Sequence, residues 1–228
     1  MELWKIQMIA VLVILLLLLI GVLWIRRRLR IRRQAKEKKA RTDAAGLLGE
    51  QMLLEKVKKL PGRKRILSNV YIPRANQTTT EIDLILISRK GIFVVENKNM
   101  SGHLSGDDDS RTWFHASYQN SFSFYNPILQ NRAHIHALMR VLKLEEDTLF
   151  HSWIVLSDGC GMRNLKLRQD TYRVMRLSKI RRNYRRVHGK VLLREDIEEI
   201  YQRLLPYTRA SRRIKKEHMQ SIAKRHPV

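Results

Sequence analysis

The chain has 228 residues and carries 45 Lys and Arg against 21 Asp and Glu, a formal charge of +24. Such a length holds one ordinary globular domain with appendages, and such a charge selects polyanions, either nucleic acid or anionic lipid, as the partner class. A single cysteine, Cys160, excludes an intrachain disulfide and a Cys-rich zinc site and suits a reducing compartment.

From Met8 to Ile25 there is no charged residue and little but Leu, Ile and Val, with Trp4 and Trp24 at the two ends. A helix of that length rises ~27 Å, close to the roughly 30 Å hydrocarbon core of a bilayer, and the two tryptophans suit its interfaces. Only Lys5 precedes the run, opposed by Glu2, and no small-x-small cleavage site follows it, so a retained anchor over 1–27 is expected rather than a signal peptide. From Arg26 to Arg41 only Glu37 opposes a block of Arg and Lys. Positive charge flanking a span stays on the cytoplasmic side. The expectation is a single-pass plasma (inner) membrane protein with its N-terminus outside and its C-terminal bulk in the cytoplasm. The basic segment 28–45 would lie against anionic headgroups.

Gly46 is expected to end that segment, and 46–60 reads as an amphipathic helix stopped by Pro61-Gly62. Leu47, Leu53, Leu54, Val57 and Leu60 share one stripe, with Glu50 in its middle. A carboxylate on a buried face needs a partner; the alternative is a half-exposed stripe edge bonded to an arginine.

Ile66 to Ile72 reads as a strand ended by Pro73, and Arg74 to Thr80 as a polar loop. Two apolar, β-branched runs around Arg89-Lys90-Gly91 then predict a β-hairpin over 81–98. Glu96 and Lys98, two apart, must share a face. If Arg89-Lys90 form the turn, Asp83 lies opposite Glu96; if Lys90-Gly91 form it, Asp83 lies opposite Lys98, and this second register suits a type I′ turn better because glycine takes positive φ. Either brings all three groups to one face; a three-residue loop without a bulge would not. Two carboxylates and an ammonium on an apolar hairpin are costly to desolvate unless they serve one another or a metal. The oxygens of Asp83 and Glu96 suit a hard divalent cation, Mg²⁺ or Mn²⁺. Lys98 beside it could orient or deprotonate a water, or stabilise charge on a phosphate. The same residues also fit a surface hairpin with an ordinary cross-strand ion pair.

Beyond Lys98, Gly102, Gly106 and Asp107-Asp108-Asp109 read as a turn-rich stretch with the aspartates solvated. Trp113, Phe114, Tyr118, Phe122, Phe124 and Tyr125 follow, for core packing or for stacking on unpaired bases. Asn126-Pro127 starts a helix to about Leu142, with Ile128, Ile135, Leu138 and Leu142 inward. His151 to Ser157 and Tyr172 to Leu177 read as strands, and Glu195 to Leu205 as a closing helix. Lys179, Arg181, Arg182, Arg185 and Arg186 form a basic patch suited to nucleic-acid phosphates or simply to solvent. The segment 207–228 reads as a basic tail.

Gly46-x-x-Gly49-Glu50, Glu81-Ile-Asp83, Gly91-Ile-Phe-Val-Val-Glu96-Asn-Lys98-Asn99, Gly102, Trp113 and Asn126-Pro127-Ile-x-Gln130-Asn131 together resemble the nuclease-related domain (NERD) family. Asp83 with Glu96-x-Lys98 is similar to the signature of the PD-(D/E)XK nuclease superfamily. The resemblance implies an α/β domain over 46–206, a restriction-endonuclease-like mixed sheet flanked by helices, placed after the transmembrane helix. It implies metal-dependent hydrolysis of phosphodiester bonds in DNA or RNA. Asp83 and Glu96 would hold Mg²⁺ (or Mn²⁺) with the backbone carbonyl of Asn97, Glu50 would support the ion directly or through water, Lys98 would act on the water, and Gln130 would position Lys98 or substrate. Many superfamily members carry a tyrosine four residues after that glutamine, where this chain has His134. The alternative function is a catalytically silent, membrane-tethered module that binds nucleic acid or an acidic partner.

Overall fold

In the computed structural model the chain divides into two units, Met1–Leu47 and Leu48–Val228. The structure describes residues 2–75, 78–118, 120–168 and 171–209, without the side chains of 3–7, 9–18, 38 and 42. The expected tail 207–228 falls almost wholly outside the described residues. Helix α1 is Leu3–Lys58. No proline occurs before Pro61, so nothing in that stretch removes a helical hydrogen bond. Gly46 therefore does not end a segment, contrary to expectation, since an internal glycine costs a helix only about 1 kcal/mol. Among the described residues, no helix is long and apolar enough to cross a membrane. The span expected over Met8 to Ile25 falls largely on side chains outside the described set, and the structure does not show it.

In the second unit, strands β1 (Lys64–Pro73), β2 (Thr79–Ser88) and β3 (Gly91–Lys98) are followed by β4 (Gly102–Asp107), β5 (Thr112–Ala116) and β6 (Ser121–Tyr125). Helix α2 (Pro127–Leu142) leads to β7 (Phe150–Leu156), β8 (Cys160–Lys166) and β9 (Tyr172–Arg176). Helices α3 (Ile180–Arg186) and α4 (Arg194–Leu204) complete the described elements. One mixed sheet has the order β1-β2-β3-β7-β9 and the other β6-β5-β4-β8. In the first, β1, β2 and β3 are antiparallel neighbours, while β3, β7 and β9 run parallel.

Both faces of the first sheet are covered, which is why β2 and β3 read as nearly unbroken apolar runs. Ile85, Ile87, Ile92 and Val94 pack on one face with Ile135 and Leu138 of α2 and Ile197 and Leu204 of α4. On the other, Leu84, Leu86, Phe93 and Val95 pack with Leu53 and Val57 of α1 and Ile180 and Tyr184 of α3. Each such side chain contributes roughly 1.5–3 kcal/mol on burial.

The β2–β3 pairs run from Leu84↔Val95 to Ser88↔Gly91, so the turn is Arg89-Lys90 and the favoured register is corrected. Gly91 is needed for another reason. Its φ is 122°, and a Cβ there would meet the Leu149 carbonyl oxygen at 2.6 Å, where β7 approaches.

Two other expectations change. Asp109 is exposed, as a solvated turn would have it, but Asp107 and Asp108 form a junction. Asp107 Oδ1 accepts the amides of Asp109 and Ser110 at 3.0 and 2.6 Å, and Asp108 accepts Arg168 Nε at 2.8 Å and the Tyr172 hydroxyl. Of the aromatic stretch, Trp113 is fully buried, but Phe114, Tyr118 and Phe122 are exposed.

Candidate active site

Strand alternation sets the first contacts. Ile92 and Val94 face α2, so Glu96 and Lys98 continue on that side. On α2, Asn126 caps the helix by accepting the Ile128 amide, and Pro127 opens it. Gln130 and His134, one turn apart, then meet the strand end together. Lys98 Nζ donates to Glu96 Oε1 at 2.6 Å and to Gln130 Oε1 at 3.3 Å. Glu96 is 2% exposed and Lys98 21%, so the ammonium is the group of the pair with access to solvent.

The other oxygen of Glu96 has a buried partner: His134 Nε2 lies 3.2 Å from Glu96 Oε2. Behind it, His134 Nδ1 is 3.0 Å from Thr80 Oγ1, which accepts Arg74 Nη2 at 2.7 Å. An ionised carboxylate can only accept, and Glu96 is held ionised by its surroundings, so His134 Nε2 carries a hydrogen and donates it to Glu96.

Asp83 enters where the hairpin opens. The β2–β3 register ends at Leu84↔Val95, and one step beyond it Asp83 Oδ2 accepts the Asn97 amide at 2.7 Å. On its other side, the paired residues Leu67 and Ile85 and the paired residues Val70 and Ile82 all enter one apolar cluster, although strict alternation would put them on opposite faces. The switch falls between them, at Asn69, whose φ is 53°, and at Asp83. Asparagine tolerates that left-handed conformation. Asn69 also hydrogen-bonds Glu50, whose negative charge reaches Asp83.

The two central carboxyls are driven apart. Burial, and next the charge of Glu96, hold Asp83 well above the usual carboxylate range. Burial works the same way on Glu96, but Lys98 and then His134 outweigh it and hold that carboxyl down at about 2. Burial would lower the Lys98 ammonium; Glu96 and Asp83 overcome it and keep it raised. Glu50 is pushed up by burial, with Glu81 adding to the rise and its bond to Asn69 opposing it.

The structure thus brings Asp83, Glu96, Lys98 and Gln130 together, with Glu50 within electrostatic reach of Asp83. Asn97, expected to offer its carbonyl, contributes its amide to Asp83. Lys179, Arg181, Arg182, Arg185 and Arg186 are exposed, and α3 is anchored by Ile180 and Tyr184 on the sheet face opposite α2. They do not join the cluster. Sequence reasoning missed Arg74 and Thr80, which carried no signal inside a polar loop. The signal for His134 was its place on the buried face of α2, one turn after Gln130.

The donor set can be matched to an ion. Among the described residues no group of three or more His, Cys, Asp and Glu could hold a metal. Two neighbouring carboxyls, one of them raised by burial and by the charge of the other, fit a hard divalent cation that keeps most of its waters.

A mixed α/β domain that gathers two carboxylates, a lysine and a glutamine where two strands part has the equipment of nuclease-like proteins. Residues 45–157 match the family model described as nuclease-related domain, and over that segment the chain belongs to the NERD family. It is also similar to an uncharacterized protein of Bacillus anthracis, 25% identical over 178 residues that make up 78% of this chain and 83% of that protein. No solved structure matches.

Proposed function

We propose that this protein is a metal-dependent nuclease, hydrolysing phosphodiester bonds of DNA or RNA from the cytoplasmic face of the plasma (inner) membrane. The observation that carries the reading is the convergence of Glu96 and Gln130 on Lys98 Nζ, with Asp83 one residue past the last hairpin pair. Asp83 and Glu96 would hold Mg²⁺ or Mn²⁺, with Glu50 in support. When bound, the ion would supply positive charge to a phosphate gaining negative charge.

The remaining work falls to the chain. Lys98, held charged and partly open to solvent, orients the attacking water by hydrogen bonding and stabilises charge on the phosphoryl oxygens. Gln130 fixes the Lys98 side chain through its Oε1. His134 holds the Glu96 carboxylate in one orientation. The apolar walls of the sheet keep these interactions strong.

The tether rests on the sequence: the charge-free run in 1–27, the basic flank 28–45 and the inward bias of positive charge. The basic residues of α3 and of the 207–228 tail would add a salt-sensitive attraction for nucleic acid.

A second reading, a silent binding module on the same fold, is favoured by one feature: both oxygens of Glu96 already have protein partners. Cleavage assays on the full chain with Mg²⁺ or Mn²⁺ separate the two. Nuclease activity lost in Glu96→Ala and Lys98→Ala, with nucleic-acid binding retained, is the expected result. Salt-sensitive binding without cleavage selects the module, and cleavage untouched by both substitutions rejects the site.

A further inference from the structure

At the tip of the β2–β3 hairpin, at the far end of β3 from Glu96 and Lys98, three segments line an open cavity of about 590 Å³. They are the Pro61-Gly62-Arg63 turn, the Arg89-Lys90 turn and the Val187–Lys190 loop. The charged lining is all of one sign: Arg63, Arg89, Lys90, His188 and Lys190 are the only ionisable groups in it besides the Tyr184 phenol. Pro61, Val187 and the ring of Tyr184 give it an apolar floor.

The walls are tied to one another. Lys90 Nζ donates to the carbonyls of Tyr184 at 3.0 Å, Arg185 at 3.4 Å and Val187, and sits 5.0 Å from the centre of the Tyr184 ring. The amides of Val191 and Leu192 both donate to the Arg89 carbonyl, at 2.8 and 3.2 Å. Lys64 Nζ holds the Leu60 carbonyl at 2.6 Å on the third wall.

Two helices end here, α1 and α3, and helix C-termini repel anions. Lys90 answers that at α3, whose terminal carbonyls it occupies, and Lys64 holds the Leu60 carbonyl just past the end of α1, so their charge is spent on the frame. Arg89, Lys190 and His188 are left exposed toward the cavity. Arg63 is shared, since it also lies in the field of Glu198, whose ion pair is with Arg65. From Ser178 to Lys190 the chain has no Asp or Glu, so the surrounding potential is positive as well.

We infer that this cavity binds a phosphate-bearing anion of nucleotide or headgroup size, gripped by Arg89 and Lys190 with Arg63 and His188 at its margin. The volume falls within the roughly 300–1,000 Å³ of ligand pockets. Guanidinium groups pair with phosphate oxygens two at a time, and an ammonium adds a point charge, a combination suited to phosphate more than to a lone carboxylate. The site is independent of the catalytic cluster.

The test is calorimetric titration of the full chain in detergent with inorganic pyrophosphate, a nucleoside diphosphate and a short-chain soluble phosphatidic acid. Arg89→Ala and Lys190→Ala change exposed side chains and should each weaken pyrophosphate binding by about tenfold or more. Arg132→Ala, an exposed cation on α2, should leave it within about twofold. Whichever organic probe binds tighter than pyrophosphate, and is weakened by the same two substitutions, identifies the source as nucleotide or lipid. An equal loss in Arg132→Ala would reduce the effect to diffuse charge and overturn the site. Loss in Lys98→Ala would move binding to the catalytic cluster. Absence of binding by all three probes overturns the inference outright, even if an oligonucleotide still binds.

Discussion

His134 Nε2 lies 3.2 Å from Glu96 Oε2, both side chains almost fully buried, and the Glu96 carboxylate, which can only accept, makes Nε2 the donor. Glu96 is thereby held from two sides, by α2 and by Lys98. His134→Ala would leave a buried carboxylate oxygen without its donor, a cost of about 1–3 kcal/mol. His134→Gln, which retains an N–H donor on the same helix face, should recover part of it. Thermal unfolding reads the difference at roughly 2–4 °C per kcal/mol for a chain of this size. A His134→Gln protein no more stable than His134→Ala would count against the bond.

Asp83 should be a residue that costs stability. Its carboxyl is raised by burial and by Glu96, so above the free carboxylate range the group costs the folded protein stability. Asp83→Asn removes the ionisable group and retains a carbonyl oxygen for the Asn97 amide. The expected outcome is a melting temperature raised by a few degrees together with loss of nuclease activity. A variant that melts lower would show that the Asp83 charge is stabilising.

The same two acids predict opposite pH dependences. Glu96 falls from 4.5 to about 2 on folding, so its stabilisation is complete above about 4.5 and is lost as pH falls toward 2. Asp83 is raised above 3.8. Between that value and its folded pKa the native state binds the extra proton, so its contribution declines as pH rises. Melting curves against pH for the native chain and Asp83→Asn should therefore diverge above pH 4, with the variant the more stable. Parallel curves would contradict the raised carboxyl.

Gly46 and Gly49 form a matched pair on α1. A Cβ at Gly46 meets nothing within 4 Å, whereas one at Gly49 would lie 2.3 Å from Asn99 Cβ, beside Lys98. Gly46→Ala should stabilise by about 0.5–1 kcal/mol through helix propensity. Gly49→Ala should destabilise by roughly 1–3 kcal/mol through overpacking and lower cleavage as Asn99 shifts. Denaturant titration of the two variants checks the sign. Equal behaviour would show that α1 does not approach Asn99 so closely.

The elements near the site were legible where they obey a local rule. The apolar pattern of 84–95 required a hairpin, Asn126-Pro127 required a helix start, and alternation put Glu96 and Lys98 on one face. The favoured turn was wrong because Gly91 was assigned to turn geometry, when its lack of a Cβ serves the approach of Leu149. The aspartates at 107–109 looked solvated because their partners, Arg168 and Tyr172, lie about sixty residues away.

By itself the sequence determined the charge, the apolar run, the two-strand frame and the identity of the residues that could do chemistry, because these follow from side-chain type and a repeat of two or 3.6 residues. Only the tertiary structure decided that Asp83 sits at a break in the strand pairing, that His134 on α2 reaches the buried Glu96 carboxylate, 38 residues away, and that the basic helix faces away from the cluster. Those outcomes depend on which faces pack together and on which of two buried carboxyls Lys98 and His134 reach, and neither is a property of any one stretch of chain.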